Sequence, residues 1–138
     1  DLLLQARLVD PDYPLRDIAE LAAANDVLLA PVSSRLFSRD LIKPALLAAY
    51  RQNRVFIGGS PAAVRAGTLA SLQATPGVLA EETALRIRQR LRDGRWPEPG
   101  RVTRFEVLTN PQVARALGLR LPAADVLTRS LRAEEAAP

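Results

Sequence analysis

Ser60 follows the short apolar run Val55-Phe56-Ile57 and the pair Gly58-Gly59, and it precedes Pro61. A serine on a strand-to-helix turn is where α/β hydrolases carry their nucleophile, within Gly-x-Ser-x-Gly. Here the run is Gly58-Gly59-Ser60-Pro61-Ala62, so the closing glycine is absent. The chain contains no histidine to take a proton from the hydroxyl, and Lys43 is its sole lysine. Neither the phosphate-loop spacing Gly-x-x-x-x-Gly-Lys-Ser/Thr nor the dinucleotide spacing Gly-x-Gly-x-x-Gly occurs. Two readings of the stretch stand side by side. It is a tight turn that only small residues fit, or it presents backbone N–H groups and a hydroxyl to a bound ligand.

Other chemistries find little support. Without Cys or His, only carboxylates remain as metal ligands, and no disulfide or thiol reaction is open to the chain. Asp10 and Asp12 lie close together but lack the further acids of a calcium loop, so an Asx-type turn before Leu15 is the better account. Glu81 and Glu82 form an acidic pair, and Glu82 stands four residues before Arg86, the favourable order for a helix-surface ion pair. No metal and no cofactor are expected. The net charge is +4, and Arg86, Arg88, Arg90 and Arg92 form the only basic run. Aromatic residues make up just 4%, with Trp96 alone nearby, so the run reads as a solvated helix face and not as a nucleic-acid surface. Trp96, in a proline-rich loop, is expected to cover a hydrophobic edge.

The elements that would position these residues follow from periodicity and punctuation. With 138 residues, 48% of them hydrophobic, the chain can bury one core. "DLLLQARLV" is apolar but of undecided type. Leu15, Ile18 and Ala22 mark a helix over 15–25. The continuous apolar run 26–32 reads as a strand buried on both faces, followed by a Ser33-Ser34-Arg35 loop. A helix over 39–53 places Ile42, Ala45, Leu46, Ala49 and Tyr50 on one side, with Pro44 kinking it or marking where its regular part begins. Strand 54–58, a short helix closed by Gly67, and strand 68–74 come next. Thr75-Pro76 opens a helix to about Asp93, with Ala80, Ala84, Ile87 and Leu91 turned inward and Gly94 ending it. An alternating strand over 101–109 lies near a sheet edge. Asn110-Pro111 starts a helix that Gly118 stops, and 123–132 form a terminal helix. Residues 1–131 are expected to make one α/β lobe, three-layered and Rossmann-like with a mainly parallel sheet, and 132–138 a flexible tail. In such sheets ligands sit beyond the carboxyl ends of the strands. Those ends are the turns at 33–35, 58–60 and 73–75.

Three passages resemble a known family. They are "LLAPVSSRLFSRDLIKPALLAAYRQN", "RVFIGGSPAAVRAGTLASL" and "VTRFEVLTNPQVARALGLRLP". Together they are similar to the ABC-type substrate-binding family with the type I periplasmic-binding-protein fold, relatives of tryptophan-binding (TrpX-like) proteins. The resemblance spans residues 15–131 and covers only the carboxy-terminal lobe of the two that such proteins have. It implies a small solute held in an interlobe cleft without chemistry, an amino-terminal lobe and an ABC permease as partners, and a periplasmic or extracytoplasmic location, membrane-anchored or free. Family members that hold amino acids tend to carry an acid in the turn after the "VF-G" strand. Gly59-Ser60-Pro61 has none, nor does Ser33-Ser34-Arg35, so the expected solute is neutral and polar, or anionic. The expected ligand-binding residues are Ser33, Ser34, Arg35, Gly59, Ser60 and Thr75, with no catalytic residue.

The absence of an initiator methionine suggests a piece of a longer precursor. A lone lobe should expose apolar surface through which it could form a homodimer. A ligand-sensing domain of a membrane signalling protein is the alternative on the same fold, and an α/β hydrolase is a further one.

Overall fold

The computed structural model describes residues 3–31 and 39–135. Residues 3–13 enter without regular structure and lead into α1 (Pro14–Ala24). The elements β1 (Val27–Leu29), α2 (Arg39–Tyr50), β2 (Val55–Ile57), α3 (Pro61–Ala66) and β3 (Ala70–Gln73) then alternate. They are followed by α4 (Pro76–Asp93), β4 (Glu106–Thr109), α5 (Pro111–Ala116) and α6 (Ala124–Glu135). The sheet order is β1-β2-β3-β4. β1 pairs parallel to β2 (Leu28 beside Phe56), β2 parallel to β3 (Ile57 beside Ala70), and β3 antiparallel to β4 (Gln73 beside Glu106). This is the expected α/β class, a Rossmann-like lobe in which helices flank an open, mostly parallel sheet.

Proline and its neighbours set the helix starts. Ser60, Thr75 and Asn110 each accept a hydrogen bond from the first turn of the helix they precede, and Pro61, Pro76 and Pro111 occupy a position where a missing N–H costs nothing. Gly94 (φ 72°) closes α4 in the left-handed conformation. α2 runs from Arg39 to Tyr50 with Pro44 inside it, so that proline does not mark where the regular part begins.

The core lies between α1, α2 and one face of the sheet. Ile18, Ala22, Ile42, Ala45, Leu46 and Ala49 close over Leu28 and Phe56. Leu15, at 41% exposed, stays outside it. The Tyr50 hydroxyl donates to the carbonyl of Gly67 and so ties α2 to the end of α3. Burial pushes the Tyr50 phenol up to about 12.

Several local expectations give way to tertiary context. β1 is buried on one face only: Leu28 is inside, while Val27 and Leu29 are 49% and 65% exposed. An apolar run invites two-sided burial, but among the described residues nothing packs over that second face. β4 is confined to 106–109, at the sheet edge as expected, because β3 ends at Gln73, the partner of Glu106, and leaves 101–105 no strand to pair with. α6 continues to Glu135, past the start of the expected tail, and residues 136–138 lie outside the described residues. α6 also closes the edge of β4. The Thr128 hydroxyl accepts the N–H of Val107 at 2.9 Å and donates to Ala124 O at 2.7 Å, while Arg132 donates to the carbonyl of Phe105 at 2.8 Å.

α4 departs most from expectation. None of its residues is buried, and among the described residues it takes no substantial part in the helix–helix and helix–sheet packing of the body. Ala80, Ala84, Ile87 and Leu91 face outward. The opposite side of α4 is held by the 95–104 loop: Arg104 meets Glu81 at 2.7 Å and Glu82 at 3.8 Å, and Arg86 donates to Glu98 O at 2.9 Å. These longer-range partners take the place of the expected Glu82–Arg86 pair. Trp96 is 65% exposed and covers no hydrophobic edge. None of the described helices is long and apolar enough to cross a membrane.

Candidate functional site

Three parallel strands side by side bring their carboxyl ends to one edge of the sheet. Gly58, Gly59 and Ser60 leave β2 there, and Ala74 and Thr75 leave β3. The third corner, Ser33-Ser34-Arg35, lies outside the described residues. Gly59, Ser60 and Thr75 therefore share one rim, as the alternation of elements requires.

The two hydroxyls on that rim already have work. Ser60 Oγ accepts the N–H of Ala63 at 3.2 Å, and Thr75 Oγ1 accepts that of Val78 at 3.3 Å. Each hydroxyl keeps its own proton to donate outward. Gly58 answers the question of the glycine pair. A Cβ there would stand 2.5 Å from Ala63 Cβ and 3.0 Å from Thr68 Oγ1, so its role is close packing of α3 against the turn. Gly58 N also donates to Ala70 O at 3.0 Å, joining the turn to β3.

The same edge holds a group that sequence reasoning did not place there. β4 runs antiparallel, so its first residue, Glu106, sits beside Gln73 at the carboxyl end of β3. The reversal of β4 leaves no mark in its own pattern. α1 meets the start of β2 at its far end, where Arg54 Nε donates to Ala22 O at 3.1 Å, and gathers polar groups at its beginning. Around that beginning Asp17, 3% exposed, accepts the backbone N–H of Asp10 at 2.8 Å and meets Arg16 at 3.3 Å and Arg7 at 3.5 Å. Asp12 N donates to Asp10 Oδ1 at 2.8 Å, the Asx-type turn expected for this pair. No group of three or more potential metal ligands occurs among the described residues.

The Asp10 N–H and the guanidinium groups of Arg16 and Arg7 outweigh burial and hold the Asp17 carboxyl below its ordinary value of 3.8. A carboxylate with a depressed folded value adds stability that is complete above its unfolded value and is lost as pH falls through the folded one. The melting temperature should therefore fall below about pH 4. Asp17→Asn should melt lower at neutral pH and show a shallower acid slope. Parallel melting curves for the two proteins across that range would contradict the assignment.

Three open depressions of about 380, 420 and 440 Å³ lie around β4, α5 and α6. The first is lined by Glu106, Asp125, Thr128, Arg129 and Arg132 among others. None of the three is lined by Gly59, Ser60 or Thr75.

No family model and no curated protein sequence matches the chain. Two solved structures share its fold. An ABC domain in complex with L-Trp from Streptococcus pneumoniae aligns with 86% of this chain at a TM-score of 0.59 and 17% identity. A conserved domain protein from Vibrio cholerae aligns with 83% at a TM-score of 0.55 and 20% identity. This chain spans 40% and 38% of those two chains, respectively.

Proposed function

We propose that this chain is a solute-binding lobe, the carboxy-terminal half of an extracytoplasmic ABC importer receptor of the TrpX-like kind, and that it holds its solute without transforming it. The observation that carries the reading is the gathering of the β2 and β3 carboxyl ends on one rim, with Gly59, Ser60 and Thr75 on it. The likeness of fold to a domain that binds L-Trp supports it, as does the chain's lack of His and Cys. Ser60 and Thr75 would donate outward while capping their helices, and the Ser33-Ser34-Arg35 loop would supply the third contact. Hydroxyl donors and an arginine suit a neutral polar or anionic solute. An amino-terminal lobe would close over the rim, and an ABC permease would receive the solute in the periplasm or its equivalent.

Ser60→Asp separates the two jobs of this residue. Aspartate caps a helix as well as serine does, so α3 should persist while a negative charge enters the rim. The experiment is calorimetry on the two-lobed precursor with L-tryptophan, neutral polyols and amides, and dicarboxylates. We expect a neutral or anionic compound to bind, and Ser60→Asp to weaken an anionic one by at least about tenfold, the loss of one charge-assisted contact. Equal affinity in both proteins for every compound that binds would remove Ser60 from the site.

A further inference from the structure

α4 carries an apolar stripe on the side away from the protein, while its exposed Leu79 and Leu85 lie off that stripe. Ala80, Ala84, Ile87 and Leu91 are spaced by four, three and four residues, the repeat that keeps one stripe facing a partner helix. Ile87 and Leu91 are 43% and 79% exposed. The 95–104 loop occupies the reverse side of α4 through Arg86 and Glu82, reaches Glu81 on one flank through Arg104, and leaves the stripe open.

We propose that this stripe is the docking surface for a second copy of the same chain, joined as an antiparallel α4–α4 pair about a two-fold axis. The stripe is complementary to its own reversal. An axis passing between Leu85 and Arg86 sets Ala80 against Leu91 of the second copy and Ala84 against Ile87, so that each layer meets small with large. The same axis brings Glu81, on one flank, against Arg88 of the second copy, and symmetry repeats the pair. On the other flank Thr83 meets Arg90, with no like charges opposed. A parallel pairing would set Thr83 against Arg88 and Pro76 against Glu81 and would form neither ion pair. Reversal also aligns the two helix dipoles favourably. Glu81 and Arg88 are both exposed, and the Arg104 contact leaves the Glu81 side chain 66% exposed. The surface lies on α4 and not on the strand-end rim, so the inference stands whether or not that rim holds a solute.

At 18 residues, α4 is about 27 Å long. A seam of that length falls below the standard interface size of about 1,200–2,000 Å², so the dimer should dissociate on dilution. Sedimentation velocity and light scattering on the 138-residue chain, from low micromolar to the highest soluble concentration, test it. The wild-type chain should move from monomer to dimer. Ile87→Glu should stay monomeric at every concentration, with an unchanged circular dichroism spectrum. Arg88→Glu places like charges together twice and should weaken the dimer by about tenfold. The exchange Glu81→Arg/Arg88→Glu should regain association that Arg88→Glu lost. A wild-type chain that is monomeric throughout overturns the proposal and leaves the stripe to another occupant, such as a second lobe. A dimer unmoved by Ile87→Glu, or a charge exchange that recovers nothing, overturns it as well.

Discussion

Phe56→Ala is expected to cost about 3–5 kcal/mol, the range for deleting a fully buried aromatic ring. Phe56 is 2% exposed and sits at the middle of β2, where α1 and α2 close over it together with Leu28. Four alanines in that core (Ala22, Ala30, Ala45 and Ala49) contribute little volume, so few neighbours can move in to fill the space. A domain of this size has roughly 5–15 kcal/mol in hand, so the variant should be close to unfolding at ordinary temperature. Leu29→Ala, one strand away but 65% exposed, should stay within about 0.5 kcal/mol of wild type. Urea unfolding of the two variants checks the contrast. Similar midpoints would mean that the core is not where α1 and α2 place it.

Gly58→Ala should destabilise by about 3 kcal/mol, the upper part of the range for overpacking. The added methyl carbon would stand 2.5 Å from Ala63 Cβ. Ala63 cannot yield easily, because its N–H is held by Ser60 and it lies in the first turn of α3. Gly77→Ala is the matching control. There the nearest atom to the new carbon is Thr75 Oγ1 at 3.9 Å, and the site is exposed in a helix. That change should stabilise by about 0.5–1 kcal/mol through reduced freedom of the unfolded chain. One substitution type thus carries opposite signs at two positions, and thermal melts read the difference directly. If Gly58→Ala melted at or above wild type, close packing would not be the reason for glycine there.

Much of this fold is legible locally because its boundaries are chemical. Ser60-Pro61, Thr75-Pro76 and Asn110-Pro111 each announce a helix, and each is capped as its residues suggest. The spacing of Ile42, Ala45, Leu46 and Ala49 marks the face of α2 that is buried. Local pattern fails where the answer depends on what lies opposite. The repeat in α4 shows that Ala80, Ala84, Ile87 and Leu91 share a side, but not whether the protein covers it. The apolar run at β1 cannot tell one covered face from two. The rim was readable at Gly59, Ser60 and Thr75, since their positions follow from strand order. Glu106 was not, because the direction of β4 is set by pairing with β3. Asp17 was missed for a similar reason: its partners Arg7 and Asp10 reach it from a segment without regular structure.

The fastening of α6 along β4 has a consequence for how copies of this protein can misassociate. A bare outer ribbon is a template on which foreign strands polymerise. Thr128 and Arg132 occupy the main-chain groups at Val107 and Phe105 that such an intruder would need. A chain ending before Ala124 would lose that bumper, and we expect it to form fibrillar or amorphous aggregates that grow from this flank while the remainder of its sheet stays intact.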